Sequence, residues 1–93
     1  MSDVITLKLS SGEEIISRVV ERDETTITLD RPNMIGLAPG PDGQVGIQLM
    51  PWVASNQDSK EVKVSLAHVV AEIVPHDELE KGYLGKTSGI ALS

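Results

Sequence analysis

Residues 60 to 75, KEVKVSLAHVVAEIVP, place two strand-like runs end to end. Val62, Val64 and Leu66 alternate along the first, and Val69, Ala71 and Ile73 along the second. Neither a Gly nor an Asn-Gly pair stands between them to make a hairpin turn. A break of one or two residues at Ala67-His68 predicts a corner instead, one turn of 3₁₀ helix that carries the chain from one sheet to another. Corners of this kind suit small, bent antiparallel barrels in which the final strand closes onto the first.

The rest of the chain agrees with an all-β fold. VITLKL, residues 4 to 9, sets Ile5, Leu7 and Leu9 on one face and Val4, Thr6 and Lys8 on the other. Ser10 to Glu13 is a turn in which Gly12 can take positive φ. EIISRVVER, residues 14 to 22, is apolar on both sides, with Ile15 and Val19 on one and Ile16 and Val20 on the other. Such a strand is either sandwiched or bent so that each half meets a different layer. The second option suits a strongly curved barrel.

TITLDR, residues 26 to 31, points Ile27 and Leu29 inward and Thr26, Thr28 and Asp30 outward. Pro32 cannot donate to a ladder, so it ends this strand or marks a bend on an edge. NMIGLA is a continuation or a new short strand, and PGPDG, residues 39 to 43, is the strongest turn signal in the chain. QVGIQLMPWV, residues 44 to 53, returns with Val45, Ile47 and Leu49 on one face. ASNQDSK, residues 54 to 60, reads as a polar loop. After Pro75, HDELEKGYLG predicts a helix of about two turns, weakened by Gly82. Asp77 and Glu80 have capping-box spacing, and Leu79 and Tyr83 share a face. The tail, TSGIALS, carries no strong signal.

The chain has no Phe, one Trp and one Tyr, so its core must come from Val, Ile and Leu, which favours strands. Ninety-three residues make one domain, with a core over about residues 4 to 75 and a helix and tail over 76 to 93. A chain this small buries only about two thirds of its unfolded surface, so association with copies of itself would help it.

In the order of these elements the chain resembles the Sm-like family, which includes the Sm and LSm proteins and the Hfq RNA chaperones. VITLKLSSGEEIISRVVERDETTITLD follows the family's first motif, with Gly12 at its glycine. VKVSLAHVVAEI follows the second, with Val64 before the corner and Val69 and Ile73 after it. A generic small barrel of the Src-homology type would share much of this spacing. The resemblance implies a strongly bent, five-stranded antiparallel barrel, here with a long insertion over residues 32 to 60. It also implies a homo-oligomeric ring of about five to seven subunits, in which the last strand, with Val69, Val70, Ala71 and Ile73, pairs with the fourth strand of a neighbour. Single-stranded RNA is the ligand it implies.

The chain departs from the family where RNA is read. Thr26 stands where RNA-binding members carry an amide side chain, and Ser65-Leu66 stands where they carry Arg-Gly. His68 only faintly echoes the histidine-centred corner of the Hfq branch. From the residues themselves, His68 is either a contact to a base or a neighbouring subunit, or a partly exposed corner residue. Trp52 is the only large ring that could stack on a base, or else it closes one end of the barrel or packs against Tyr83. Arg22 could meet phosphate, although Glu21, Asp23 and Glu24 surround it.

A net charge of −6 argues against nucleic-acid binding through a broad basic face but allows a small local site. Without cysteine there are no disulfides or thiolate metal sites, and His68 and His76 have no recognised metal spacing. No phosphate-cradling loop and no catalytic grouping emerges, so the chain reads as a non-enzyme without a cofactor. The N-terminus lacks a leader pattern and no apolar run could span a membrane, which points to a soluble cytoplasmic protein. Two functions follow: RNA binding or chaperoning by a ring, or a structural, protein-interaction ring of phage or mobile-element origin that has lost the base-reading residues.

Overall fold

The structure, a computed structural model, describes residues 3–53 and 61–87. Its elements are β1 (Val4–Leu9), β2 (Glu14–Arg22), β3 (Thr26–Pro39), β4 (Val45–Pro51), β5 (Val62–Ser65), a 3₁₀ turn (Leu66–His68), β6 (Val69–Ile73) and α1 (Asp77–Thr87). The strands form one antiparallel sheet in the order β4-β3-β2-β1-β6, with β5 also pairing β3. The polar loop over residues 54 to 60 and residues 88 to 93 of the tail lie outside the described residues.

The corner is the 3₁₀ turn anticipated between the two runs. Ser65 caps it, its Oγ accepting from the Ala67 N–H at 3.3 Å, and the Val69 N–H closes it on the Leu66 carbonyl. Before the corner β5 lies on the start of β3, and after it β6 lies on β1. The last strand therefore returns to the first.

Six strands stand where five were expected, because the expected insertion itself forms sheet: β3 runs on to Pro39 and β4 returns along it. β3 runs 14 residues, and β2 occupies one of its edges. The other edge takes β5 against Thr26–Leu29 and then β4 against Asn33–Pro39. Residues 32 to 39 and 45 to 51 of the expected insertion are thus sheet. Pro32 does not end the strand because it sits in a β-bulge: Ile16 faces Asn33 but Arg18 faces Asp30, one extra residue on β3. Arg31 absorbs the extra residue with φ +53°, so Pro32 removes no ladder bond that the bulge had not already broken.

The bulge decides which side chains meet. Strand side chains alternate, so one added residue moves all that follow to the opposite face. Ile27 and Leu29 lie in the larger core with Leu7, Leu9, Ile15 and Val64. Beyond the bulge the parity reverses: Met34 packs on that core, whereas Ile35 packs on the second cluster with Val4, Ile16 and Tyr83. β2 is apolar on both sides because it is sandwiched, Ile15 in one core and Ile16, beneath α1, in the other. Val20 is a second bulge and is half exposed. Thr28, expected to face outward, is buried.

A third irregularity corrects the apolar row expected along β6. Val69 pairs with Leu9 and Ala71 with Lys8, leaving Val70 as the extra residue. Val69 therefore packs on the larger core, while Ala71 and Ile73 pair with Lys8 and Thr6 on the opposite face. The helix also runs longer than two turns, 11 residues, because Tyr83 and Thr87 are buried at its far end. Asp77 is its first residue and not its cap, since the Glu80 N–H donates to the His76 carbonyl at 3.0 Å. Its carboxylate, with Glu78 and Glu80, complements the positive end of the helix. Among the described residues no helix is long and apolar enough to cross a membrane.

Candidate functional site

The five residues singled out for a ligand fall into two groups. Arg22 and Thr26 lie at the β2–β3 turn, and both are already engaged. The bulge at Val20 turns Arg22 to the side of its partner Ile27, which faces the larger core. Glu72 reaches the same side from β6, opposite Leu7. The two form a fork-to-fork ion pair, Nη1 to Oε1 at 3.1 Å and a shorter Nη2 to Oε2 contact. The hydrogen bonds and charge of the partner raise the Arg22 guanidinium above its ordinary value and hold the Glu72 carboxyl below its own.

Asp23 organises the turn itself. Its Oδ1 accepts from the Thr25 N–H at 2.9 Å and the Thr26 N–H at 2.8 Å, and the Thr26 hydroxyl donates to Oδ2 at 3.1 Å. These bonds, the Thr25 N–H first, hold the Asp23 carboxyl below its ordinary value. An anion approaching this turn meets Asp23, Glu24 and an arginine whose charge Glu72 offsets. The turn offers no free cation.

Trp52, Ser65 and His68, by contrast, come together. With the β1–β2 turn they line a cleft of about 350 Å³. Leu9 and Val64 belong to both the cleft and the larger core, on which half-buried Trp52 also packs. Trp52 is therefore not on Tyr83, which belongs to the cluster beneath the helix. Lys63 and Glu13 line the same cleft with opposite charge, together with Ser10 and Ser11. Two backbone bonds fix the corner beside it: the Ser10 N–H donates to the His68 carbonyl at 2.8 Å, and the Leu66 N–H to the Thr25 carbonyl at 2.8 Å. Lys63 escaped the sequence reading because a lysine at one end of a strand is an ordinary solvent-facing residue until the fold sets Trp52 beside it.

Sequence reasoning also missed the role of Tyr83. Its hydroxyl fills the gap that the Arg31 bulge opens between β2 and β3, accepting from the Arg18 N–H at 3.0 Å and donating to the Asp30 carbonyl at 2.7 Å. The Arg18 guanidinium lies 5.4 Å from the ring centre and donates to the Thr87 hydroxyl at 2.9 Å. This network fastens α1 to the sheet and has no opening for a ligand. Only the tyrosine-to-bulge distance reveals it, and no local pattern encodes that.

The expected interface residues sit at one end of the sheet. Val70 and Ile73 are exposed, as is Val74 beyond them at 87 %, while Val69 and Ala71 are partly covered. On β3 and β4, Leu37, Val45 and Ile47 are exposed as well, and Leu37 and Ile47 line one cavity with Ile73 and Val74. No family model matches the chain, and no curated protein matches it.

Proposed function

We propose that the chain is an Sm-like protein whose sheet is bent into a small barrel and which assembles head to tail into a homo-oligomeric ring. One observation carries the reading: among the described residues the two terminal strands, β4 and β6, each keep an edge without a partner strand, and exposed apolar side chains flank both. Free edges of this kind pair with other chains unless they are covered. A heterologous contact whose rotation closes covers every one of them at once. The corner between β5 and β6, the return of β6 to β1 and the three bulges that bend the sheet support the barrel. The ring binds single-stranded RNA through the face that carries the corner cleft.

The engagement of Arg22 by Glu72 and of Thr26 by Asp23 favours a second reading, a ring that holds a protein partner. Light scattering on the 10.0 kDa chain tests the assembly first, with Val70→Lys and Val74→Lys as edge variants. A closed oligomer that the variants reduce to folded monomers is the expected result. A wild-type monomer at tens of micromolar would sink the ring. Anisotropy with labelled U-rich and A-rich RNA, at low and physiological salt, then separates the two ligands: salt-sensitive binding by the ring supports RNA, and none even at low salt supports a protein partner.

A further inference from the structure

The cleft at the corner joins three kinds of group that the rest of the described surface does not bring together. Trp52 supplies an aromatic wall, Leu9 and Val64 an apolar floor, and Lys63 a cation at the rim. Hydroxyls stand around it: Ser65 is held in the cap of the 3₁₀ turn, and Ser11 donates to Glu13 at 3.1 Å. Lys63 makes no ion pair among the described residues, unlike Arg18, Arg22 and Arg31, which all face carboxylates. We propose that this cleft binds one nucleotide unit, its base stacked on Trp52 and its phosphate on Lys63.

The chemistry is that of a planar ring carrying an anion. Every nucleobase has a π-face, so stacking on Trp52 tolerates any base, and hydroxyls at the rim can meet base edges or ribose. Glu13 is the one acidic group lining the cleft, so its charge opposes a bound phosphate. Because the whole chain is acidic, anions gain no general attraction, and binding here depends on the local geometry. The inference rests on the RNA reading only for the source of the nucleotide, which is either a strand held by the ring or a free mononucleotide.

The chain has a single tryptophan, so its emission reports this cleft alone. The full-length protein is titrated with AMP and UMP while Trp52 emission is followed, and in parallel with labelled U-rich and A-rich RNA by anisotropy. Saturable quenching is expected. Lys63→Glu should weaken binding about five-fold at low salt, an effect that fades as screening sets in. Glu13→Gln should tighten it. In the anisotropy assay Trp52→Leu should weaken binding about ten-fold or more. Trp52 packs on the core, so the exposed Lys63 variant keeps the test valid where Trp52→Leu fails to fold.

RNA binding that leaves Trp52 emission unchanged, and that Lys63→Glu does not weaken, overturns the cleft and leaves the RNA reading standing. Quenching by AMP or UMP without any RNA binding upholds the cleft with a free nucleotide as its ligand and overturns the RNA reading. Silence from every probe overturns both.

Discussion

Removing one oxygen atom, by Tyr83→Phe, should destabilise this protein more than most surface substitutions could. The Tyr83 side chain is completely buried, and its hydroxyl serves the Arg18 N–H and the Asp30 carbonyl on either side of the bulge, with the Arg31 carbonyl at 3.0 Å. Phenylalanine keeps the ring, its packing on Val4 and Ile16 and its place under Arg18, so the loss isolates the hydrogen bonds. A buried donor or acceptor left without a partner costs about 1–3 kcal/mol. Two are orphaned here, but the bulge is only part-buried and water can reach some of it, so the expected loss is about 2 kcal/mol. For a domain of this size that lowers Tm by roughly 8–16 °C.

Urea unfolding followed by Trp52 emission, at one fixed protein concentration, compares the two proteins with mass action held constant. Tyr83→Ala, which also empties the site, should cost about 3–5 kcal/mol. A Tyr83→Phe protein within about 0.5 kcal/mol of wild type would refute the reasoning, because it would mean that the bulge does not need the hydroxyl.

Arg31 is the only non-glycine among the described residues with positive φ, so Arg31→Gly should raise stability by about 0.5–1 kcal/mol, and Arg31→Val should lower it by about 1 kcal/mol. The same urea titration ranks them, and a Val variant as stable as the Gly variant would remove the strain from the account. Acid should release the tie between β2 and β6. Because the folded Glu72 carboxyl lies below its ordinary value near 4.5, its contribution is complete above that pH and disappears as the pH falls through the lower folded value. With both partners more than 40 % exposed, solvent screening limits the effect to about 0.5 kcal/mol. Glu72→Gln should therefore cost that much at pH 7 and progressively less as the pH falls below 4.5 and through the lowered folded value, and a cost that does not change with pH would point to packing instead of charge.

The sheet was legible where side-chain alternation is uninterrupted. In β1 the row read from the sequence, Ile5, Leu7 and Leu9, lies on the larger core, and so do the inward residues Ile27 and Leu29 of β3, because a period of two needs only local order. The corner was legible for a related reason: two alternating runs with no turn residue between them admit few connections. The grouping of Ile35 with the helix, and of Ala71 and Ile73 apart from Val69, was not legible, since each depends on a one-residue bulge that shifts parity without a mark in composition. Pro32 even pointed the wrong way, toward a strand end, when it stands inside the bulge.

The candidate site divides along the same line. Trp52, Ser65 and His68 could be named from the sequence as polar or aromatic residues near turns, but Lys63 acquired its place only when β5 was laid on β3 beside them. From the sequence alone Arg22 could meet phosphate, but the Val20 bulge brings it to Glu72, fifty residues away. The sequence by itself determined the all-β class, the uninterrupted strands such as β1, the corner and the absence of thiol chemistry, all of which follow from local periodicity and residue type. Only the tertiary structure decided which charges are already matched and which stand free beside an aromatic wall, because pairing depends on distances across the sheet that no local pattern contains.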